Sequence, residues 1–529
     1  MNNSLLVITP PLLVVASVVL TRHIIVSFII GIIWAALIAT QWNIFDAGIL
    51  IGQRFLSSAG VSGITSWYNL FDNWNIAIFI FLCSLGSLIV LLQKTGAAVA
   101  YGHFIQKFVH TQRSAQIASL VLSLFFFIDD YFSALTVGSV MRPLAKLYDI
   151  SPLKIAFLVT AMASPVTILS PISSWVGEII LQLKQAGIGT DPQSTIVADP
   201  FYVFVHVIPC VFYAFLLILS AWYIVVRNIS YGPMTRHEHH VTIIPKKNYQ
   251  QEPASSMIDF LLPLITLIGS IFIILLFTGN YTLFGGSQKF LDALKYGSIH
   301  LSLLISGLVT IMISSIYFLS KQKLSLHNFF ACLYEGSLLM LPSIIMLIHA
   351  WTLGAVLKQD LHTGDYIGHL FGYFVTLPLF PALCFVTAVC TAALIGSAWA
   401  TIGLIFPIVI PLLQTLLIFP SGTSLSDVLL LLPVIGATLS GCIMGTHVSF
   451  IADNPIMSAA STGASHLEHI KTMAWYVLPV GSATLAAYIL CGYLFSYYGY
   501  TPSIIMSLGL GVVLSITLLE ILNKIQKEL

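Results

Sequence analysis

Two adjacent carboxylates stand in one of the most apolar stretches of the chain. Asp129 and Asp130 follow the run FFFI and open the segment DDYFSALTVGSVMRP. A charged carboxylate near the centre of a bilayer costs roughly 3 kcal/mol on insertion scales. A proton or a bound cation removes that charge, and a single carboxyl that holds one or the other makes the two ions compete. Such competition at a carboxyl exposed alternately to the two sides of a membrane predicts cation/proton exchange.

Both acids also have structural alternatives. One carboxyl could form a salt bridge with Arg142, or it could cap the helix that follows the turn. Either role leaves the other acid free to bind an ion. Sodium, like other hard cations, prefers oxygen ligands. We therefore predict a Na+ site at Asp129, Asp130 and Thr136.

Helix breakers and small hydroxyl residues coincide in four segments, at 129–139, 163–175, 395–407 and 445–455. Proline leaves upstream carbonyls without partners, and in lipid this is tolerated only where the backbone faces protein or a polar cavity. Freed carbonyls and hydroxyls suit a cation, while a kinked helix satisfied by its neighbours is the alternative. The candidate ion- or substrate-binding residues are Ser133, Thr136, Ser164, Thr167, Ser170, Ser173, Ser174, Ser397, Thr401, Thr446, His447, Ser449 and Asn454.

Other polar groups in apolar segments rank lower. Asp453 is a candidate symmetry-related acid for proton/cation coupling, with a helix cap as the alternative. His447 could bind the ion or relay protons, and a hydrogen-bonded core histidine is equally compatible. Glu178 follows the second break by several residues and is predicted near the outer interface. Glu335 ends an amphipathic stretch and is predicted to be interfacial.

These residues must be positioned by membrane helices. Of the 529 residues, 58% are apolar and 8% are charged. Apolar runs of about 20 residues, the length needed to cross the hydrocarbon core, recur along almost the whole chain. Their continuity argues against a β-barrel, which shows short alternating segments. The net charge of +1 suggests no nucleic-acid partner. Metal-protease motifs such as His-Glu-x-x-His are absent, so neither an enzyme nor a cofactor is expected.

A polar stretch divides the chain into halves that resemble each other. We predict a first transmembrane repeat at 1–226, a cytoplasmic linker at 227–257, a second repeat at 258–497, and an extra C-terminal transmembrane helix with its tail at 498–529. A nearly constant offset between short matches favours a duplication. The matches pair Gly86, Thr95 and Gly96 with Gly354, Thr363 and Gly364 at an offset of 268, and Thr136 and Gly138 with Thr401 and Gly403 at an offset of 265.

Basic residues predict the orientation. The linker and the C-terminal tail are rich in Lys and Arg, so both are expected in the cytoplasm, with the N-terminus outside. Basic clusters on both sides of 114–142 favour a re-entrant hairpin, and its counterpart at 378–415 would enter from the outside. Each half then crosses the bilayer an odd number of times, so the halves are inverted. The predicted fold is an all-α polytopic membrane protein of two inverted-topology repeats with re-entrant hairpins and broken transmembrane helices, as in secondary transporters.

The segment from Phe125 to Trp175 resembles the core signature of the NhaC-type Na+/H+ antiporter family, within the ion-transporter superfamily. It carries an Asp-Asp-Tyr-Phe tip, the run LTVGSVMRP and the break SPVTILSPISSW. In the second half, HAWTLG, GSAWATIGLIFPI and GTHVSFIADNPIMSAASTG are similar to further family motifs. Three departures stand out. Ser164 replaces the usual Ala, Thr446 replaces an acid, and the loop at 396–399 has one hydroxyl fewer.

The resemblance implies exchange of Na+ for H+ at the cytoplasmic membrane of a prokaryote, with Asp129, Asp130 and Asp453 as coupling acids. Some relatives move organic acids or amino acids, so a Na+- or H+-coupled transporter of a small organic anion or amino acid is the alternative. The implied partners are Na+, H+, membrane lipid and, in the alternative, an organic solute. A homodimer is a further expectation.

Overall fold

The computed structural model is almost wholly helical. It describes residues 5–62, 73–97, 108–239, 256–290, 293, 297–371 and 376–528. Within these ranges nine helices are long and apolar enough to cross a membrane, or up to ten if the bent pair Pro200–Cys210 and Phe212–Arg227 forms one span. The predicted all-α polytopic membrane protein is therefore confirmed.

The first half contains eleven described helices, with short 3-10 turns at Leu5–Ile8 and Ile208–Cys210. They are α1 (Thr9–Thr21), α2 (Ile24–Ala39), α3 (Ile44–Ser58), α4 (Trp74–Lys94), α5 (Gln112–Phe125), α6 (Asp130–Leu147), α7 (Pro152–Leu169), α8 (Ser174–Gln185), α9 (Pro200–Val207), α10 (Phe212–Arg227) and α11 (Pro233–His239). Two strands, β1 (Ile188–Gly189) and β2 (Ile196–Val197), lie between α8 and α9.

The second half has ten described helices, and a π-helical turn at Val356–Asp360. They are α12 (Met257–Thr278), α13 (Ile299–Ser320), α14 (Leu326–Ala355), α15 (Thr363–Phe371), α16 (Phe380–Ile395), α17 (Ala398–Leu417), α18 (Leu431–His447), α19 (Asp453–Thr462), α20 (His466–Tyr498) and α21 (Tyr500–Glu528). Further 3-10 turns lie at Thr282–Phe284, Leu377–Leu379 and Leu425–Asp427. Strand β3 (Thr423–Ser424) pairs in parallel with β2, which pairs in parallel with β1.

The chain forms two compact units, and each draws on both halves of the sequence. The first comprises the described parts of 1–51, 109–246 and 350–529, and the second those of 52–108 and 247–349. All the breaks considered below belong to the first unit. Within the predicted linker 227–257 lies α11, while residues 240–255 are outside the described part of the chain. The repeat boundaries remain a prediction.

Two helices begin in the same way in the two halves. The Asp129 side chain accepts the Phe132 N–H at the start of α6 (2.9 Å), and the Ser397 side chain accepts the Ala400 N–H at the start of α17 (3.3 Å). Each is a side-chain cap of otherwise unpaired N–H groups. Pro143 and Pro411, inside these helices, share the cap residues' offset of 268.

The offset of 268 shared by the caps and the prolines changes the residue that is paired with Thr401. At an offset of 268 the residue opposite Thr401 is Ser133, whereas the matches at 265 paired Thr401 with Thr136. Both Ser133 and Thr136 lie inside α6, and Thr401 lies inside α17. The predicted breaks at 129–139 and 395–407 are therefore shorter than expected. Chain between helices is confined to residues 126–129 and 396–397.

Candidate functional site

Helices α5 and α6 form a hairpin that ends in the twin acids. Its open end is closed by two hydrogen bonds to backbone carbonyls. Gln112 Nε2 donates to the Asp149 carbonyl (3.2 Å), and the Tyr148 hydroxyl donates to the Val109 carbonyl. The four residues between the helices, 126–129, lie at the other end. A helical hairpin is present at the predicted position, with Asp129 and Asp130 at its tip, while its re-entrant course through the membrane stays a prediction.

Asp129 has a structural role at this tip. Its carboxyl is 2% exposed, and Oδ1 caps α6 as described above. Oδ2 accepts the Ser174 hydroxyl (2.9 Å), and the Ser174 N–H donates to the Ile128 carbonyl (2.8 Å). The first residue of α8 is thus bonded twice to the hairpin tip.

Asp130 has different partners. The residue is 3% exposed, and Oδ1 accepts the indole N–H of Trp175 (3.1 Å). Oδ2 accepts the Ser164 hydroxyl of α7 (2.8 Å) and the Asn454 amide of α19 (3.2 Å). Asn454 Nδ2 also donates to Ser164 Oγ, so the three polar groups contact one another. We call Asp129, Asp130, Ser164, Ser174, Trp175 and Asn454 the Asp130 centre.

Neutral donors make all of these side-chain contacts. In the described part of the chain, no Lys, Arg or His lies within ion-pair distance of either acid. Arg142 is exposed and lies three helical turns along α6 from Asp130, about 18 Å at 1.5 Å per residue. The salt-bridge alternative is therefore wrong for Arg142, and the capping alternative is correct for Asp129.

The four helix breaks form a ring in which each break contacts the next one along the chain and the fourth contacts the first. Ser174 joins the second break to the first, as above. The rings of Trp175 and Trp399 lie 6.1 Å apart, edge to face, and join the second break to the third. A Cβ placed on Gly396 would lie 2.5 Å from the Ile451 side chain, so the third break adjoins the fourth. The Tyr131 hydroxyl donates to Asp453 Oδ2 (3.3 Å) and closes the ring.

Several predicted site residues are buried near these breaks, but their side chains have no hydrogen bond to the carboxyls of Asp129 or Asp130 in the described part of the chain. The hydroxyls of Ser133 and Thr136 have no hydrogen-bond partner in the described part of the chain. Thr136 lies two turns along α6 from Asp129, about 10 Å of axial rise. The other hydroxyls bond to nearby backbone. These are Thr167 to Ala163, Ser173 to Ser170, Ser170 to Ile172, Thr401 to Ser397, Thr446 to Ile443, and Ser449 to Ile451.

His447 occupies a separate buried position at the end of α18. Its Nδ1 contacts the Tyr213 hydroxyl of α10 (3.0 Å), and its Nε2 has no partner among the described residues. Among the described residues, no group of three or more His, Cys, Asp or Glu side chains is arranged to hold a metal ion. The arrangement around Asp130 is a mixed set of carboxyl, hydroxyl and amide groups.

Two side chains outside the predicted set contact the acids. Tyr131 and Trp175 bond directly to the acids, and their signal was their place inside the two motifs that carry the resemblance. Glu178 was expected near the outer interface, and that depth stays a prediction; within the protein it is buried, at 2% exposed. Trp351 of α14 and Gln182 of α8 both donate to its carboxyl, which explains how it is buried.

Fold and site together define a membrane transporter built from broken helices. The chain belongs to the Na+/H+ antiporter family, whose model matches residues 166–493. An uncharacterized protein of Haemophilus influenzae is 27% identical over 499 residues, which are 94% of this chain and 92% of that protein. The family match begins after the twin acids, so the roles of Asp129 and Asp130 depend on the geometry above.

Two solved structures are similar in fold. The Alcanivorax borkumensis YdaH transporter is 12% identical with a TM-score of 0.50, over 88% of this chain and 87% of that one. Neisseria gonorrhoeae MtrF, from a class of antimetabolite efflux pumps, is 13% identical with a TM-score of 0.51, over 86% of this chain and 84% of that one. At these identities the likeness concerns the fold alone.

Proposed function

We propose that this transporter exchanges Na+ for H+ by alternating access, with Asp130 as the carboxyl that binds either ion. The observation that carries the proposal is the environment of Asp130. Its carboxyl is buried where helices are broken. Trp175, Ser164 and Asn454 donate to it, and no described residue gives it a basic partner. A buried carboxylate with no counter-charge is stabilised by binding a cation or a proton.

Oxygen ligands for Na+ are available at this position. Asp130 Oδ2 and Ser164 Oγ are 2.8 Å apart, and the Asn454 amide contacts both. Rotation of that amide by half a turn presents Oδ1 in place of Nδ2, which would give three oxygens around one point. Pro165 follows Ser164 inside α7 and supplies no N–H, so a carbonyl one turn earlier lacks its usual partner. Such a set suits a hard cation.

Proton coupling follows from the different positions of the two acids. Asp129 is engaged by the Phe132 N–H and the Ser174 hydroxyl, and it holds the hairpin tip to α8. Asp130 accepts hydrogen bonds from side chains of three other helices. These side chains can change rotamer when the ion bound to Asp130 changes. Sodium and a proton then compete for one carboxyl, and its exposure to alternate sides couples their movements. Asp453, bonded to Tyr131, is a further coupling acid in this proposal.

The proposed setting is the cytoplasmic membrane of a prokaryote. The Lys and Arg residues of 227–257, with Lys524 and Lys527 near the C-terminus, support a cytoplasmic C-terminus and an external N-terminus. The repeats would be inverted, with membrane lipid around them and a homodimer as the assembly. No organic cofactor is part of this proposal, since Na+ is the transported ion.

A second candidate function is supported by a cavity of about 400 Å³ at the far end of α6. Arg142, Lys146 and His237 line it together with Glu468. Arg142 and Lys146 are exposed to this cavity and are suited to a carboxylate. A small organic anion or an amino acid coupled to Na+ or H+ is therefore the alternative substrate.

One experiment separates these functions. Purified protein is reconstituted in vesicles with a trapped pH dye, and Na+, Li+, K+ or candidate organic acids are added one at a time. We expect proton movement on addition of Na+ alone. Proton movement that requires an organic solute would support the alternative, and vesicles without protein give the leak rate.

A further inference from the structure

A second buried carboxyl lies outside the Asp130 centre. Glu178 of α8 is 2% exposed, and neutral groups donate to both of its oxygens. Gln182 Nε2 donates to Oε1 (3.0 Å), and the Trp351 indole N–H donates to Oε2 (2.9 Å). The transport cycle proposed above makes no use of this group.

Among the residues that the structure describes, no positive charge compensates Glu178. In the described ranges, no Lys, Arg or His lies within ion-pair distance of its carboxyl. Helix α17, which packs against α8, carries no titratable side chain. Helix α14, which carries Trp351, also carries His349, whose Nδ1 contacts the Ile345 carbonyl. At the start of α8, Ser174 and Trp175 are bonded to Asp129 and Asp130. Further titratable groups on neighbouring elements include Lys154 of α7, which donates to the Ile229 carbonyl, Tyr202 and His206 of α9, which contact each other, Lys184 of α8 itself, and Lys358, which donates to the Gln185 carbonyl.

The side-chain amide of Gln182 has a hydrogen-bond partner at its nitrogen but none at its oxygen among the described residues. Gln182 is 1% exposed, and its Oε1 is buried without a hydrogen-bond partner among the described residues. A buried acceptor without a donor is costly. If Glu178 took up a proton on Oε1, half a turn of the Gln182 amide would let its Oε1 accept that O–H. The turn would place Nε2 where Oε1 now lies, so the amide would still form one hydrogen bond to Glu178. Gln182 can therefore donate to the carboxylate or accept from the neutral acid, while Trp351 continues to donate to Oε2.

We propose that Glu178 and Gln182 form a second proton-binding site of this transporter. Glu178 follows Trp175 by one turn on the same face of α8, and Trp175 donates to Asp130. The site therefore shares a helix with the Asp130 centre. A proton taken up from hydronium in the aqueous phase converts the carboxylate to the neutral acid, and the proton returns to water when the acid ionises again. The transport role of this site, as a carrier of a second proton in each cycle, rests on the proposed Na+/H+ exchange.

Infrared difference spectroscopy of the reconstituted protein tests the site without any transport assay. The protonated-carboxyl C=O band is followed as the pH is stepped, in wild type, Glu178→Gln and Asp130→Asn. We expect one band that is lost in Glu178→Gln and retained in Asp130→Asn. Gln182→Met, which keeps the length of the side chain and removes the amide, should shift that band. Glu335→Gln is the control, because Glu335 is an exposed carboxylate paired with Lys94.

Transport supplies the second readout. Glu178→Gln should still exchange Na+ for H+, with one proton fewer per cycle, as measured from the voltage at which flux reverses. Identical carboxyl spectra for wild type and Glu178→Gln at every pH would overturn the site. Unchanged proton stoichiometry with a lost band would overturn its role as a carrier. If wild type moved no protons with Na+, the exchange proposal would fail, while the spectra would still decide whether Glu178 binds a proton.

Discussion

Asp130 and Asn454, one from each half of the sequence, are joined by a 3.2 Å hydrogen bond from Asn454 Nδ2 to Asp130 Oδ2. Both residues stand in the first turn of a helix that starts at a break, α6 and α19. Each helix reaches the contact with its N-terminal end, where the helix dipole favours a negative charge. The bond therefore places one carboxylate between two helix N-termini, and ion exchange at Asp130 would be transmitted to both helices.

The first prediction distinguishes the two acids. Asp130→Asn should abolish Na+-driven proton flux, because the amide cannot exchange a proton for a cation. Asp129→Asn should retain exchange, since Asn caps a helix about as well as Asp. Both variants keep the shape of the side chain and should elute as folded protein. Flux is measured with the trapped pH dye.

Asp129→Ala serves as the matched comparison. It removes the cap of α6 and the acceptor of Ser174, and loss of the cap alone costs about 1 kcal/mol of stability. We expect a lower thermal midpoint with residual exchange. Normal exchange by Asp130→Asn, together with loss of exchange in Asp129→Asn, would reverse the assignment of roles.

The second prediction concerns Ser164, at a position where the family signature usually has Ala. Ser164→Ala removes one oxygen from the set around Asp130 Oδ2. We expect exchange to continue with a half-saturating Na+ concentration raised about fivefold, equivalent to about 1 kcal/mol for one hydrogen-bonding ligand. The measurement is initial proton flux against Na+ concentration.

Ser123→Ala is the control for Ser164. Ser123 is also a buried serine, but its hydroxyl donates only to the Ser119 carbonyl one turn earlier in α5. Its half-saturating Na+ concentration should match that of wild type. Equal values for wild type and Ser164→Ala would remove Ser164 from the Na+ site.

The helix breaks were predictable because local chemistry determines them. An acid or a serine in extended backbone caps the following helix at Asp129 and Ser397, and both residues fell at the edges of predicted breaks. The helical state of Ser133 and Thr136 was not predictable from the run SALTVG. Its β-branched residues and Gly are poor helix formers, but the cap and the packing of α6 on α19 outweigh that preference.

The partners of the acids could not be derived from local patterns. Trp175 and Asn454 reach Asp130 from positions 45 and 324 residues away, and only tertiary packing brings them together. Glu178 shows the same limit. Its position after the break predicted the outer interface, but it gave no sign that Trp351, 173 residues further along the chain, would bury the carboxyl. Burial of a polar group depends on neighbours that hydropathy does not reveal.

The third prediction tests the contact between α6 and α19. A Cβ on Gly138 would lie 1.9 Å from Ser461 Oγ and 2.7 Å from Ser461 Cβ. Gly138→Ala therefore forces the helices apart and should cost about 1–3 kcal/mol, as overpacking usually does. The Ser461 hydroxyl also donates to the Ala134 carbonyl (2.8 Å), a bond that the separation would break. We expect a lower thermal midpoint and slower exchange, because the same helices carry Asp130 and Asn454.

Compensation shows whether this effect arises from the close approach. Adding Ser461→Gly to Gly138→Ala removes both clashing atoms, so the double variant should recover most of the stability and the exchange rate, less about 1 kcal/mol for the lost hydrogen bond. Gly269→Ala is the control, because an added Cβ there meets no atom within 4 Å. It should be as stable as wild type or more so, since Ala favours helix over Gly. A double variant no more stable than Gly138→Ala alone would show that the cost lies elsewhere than in this contact.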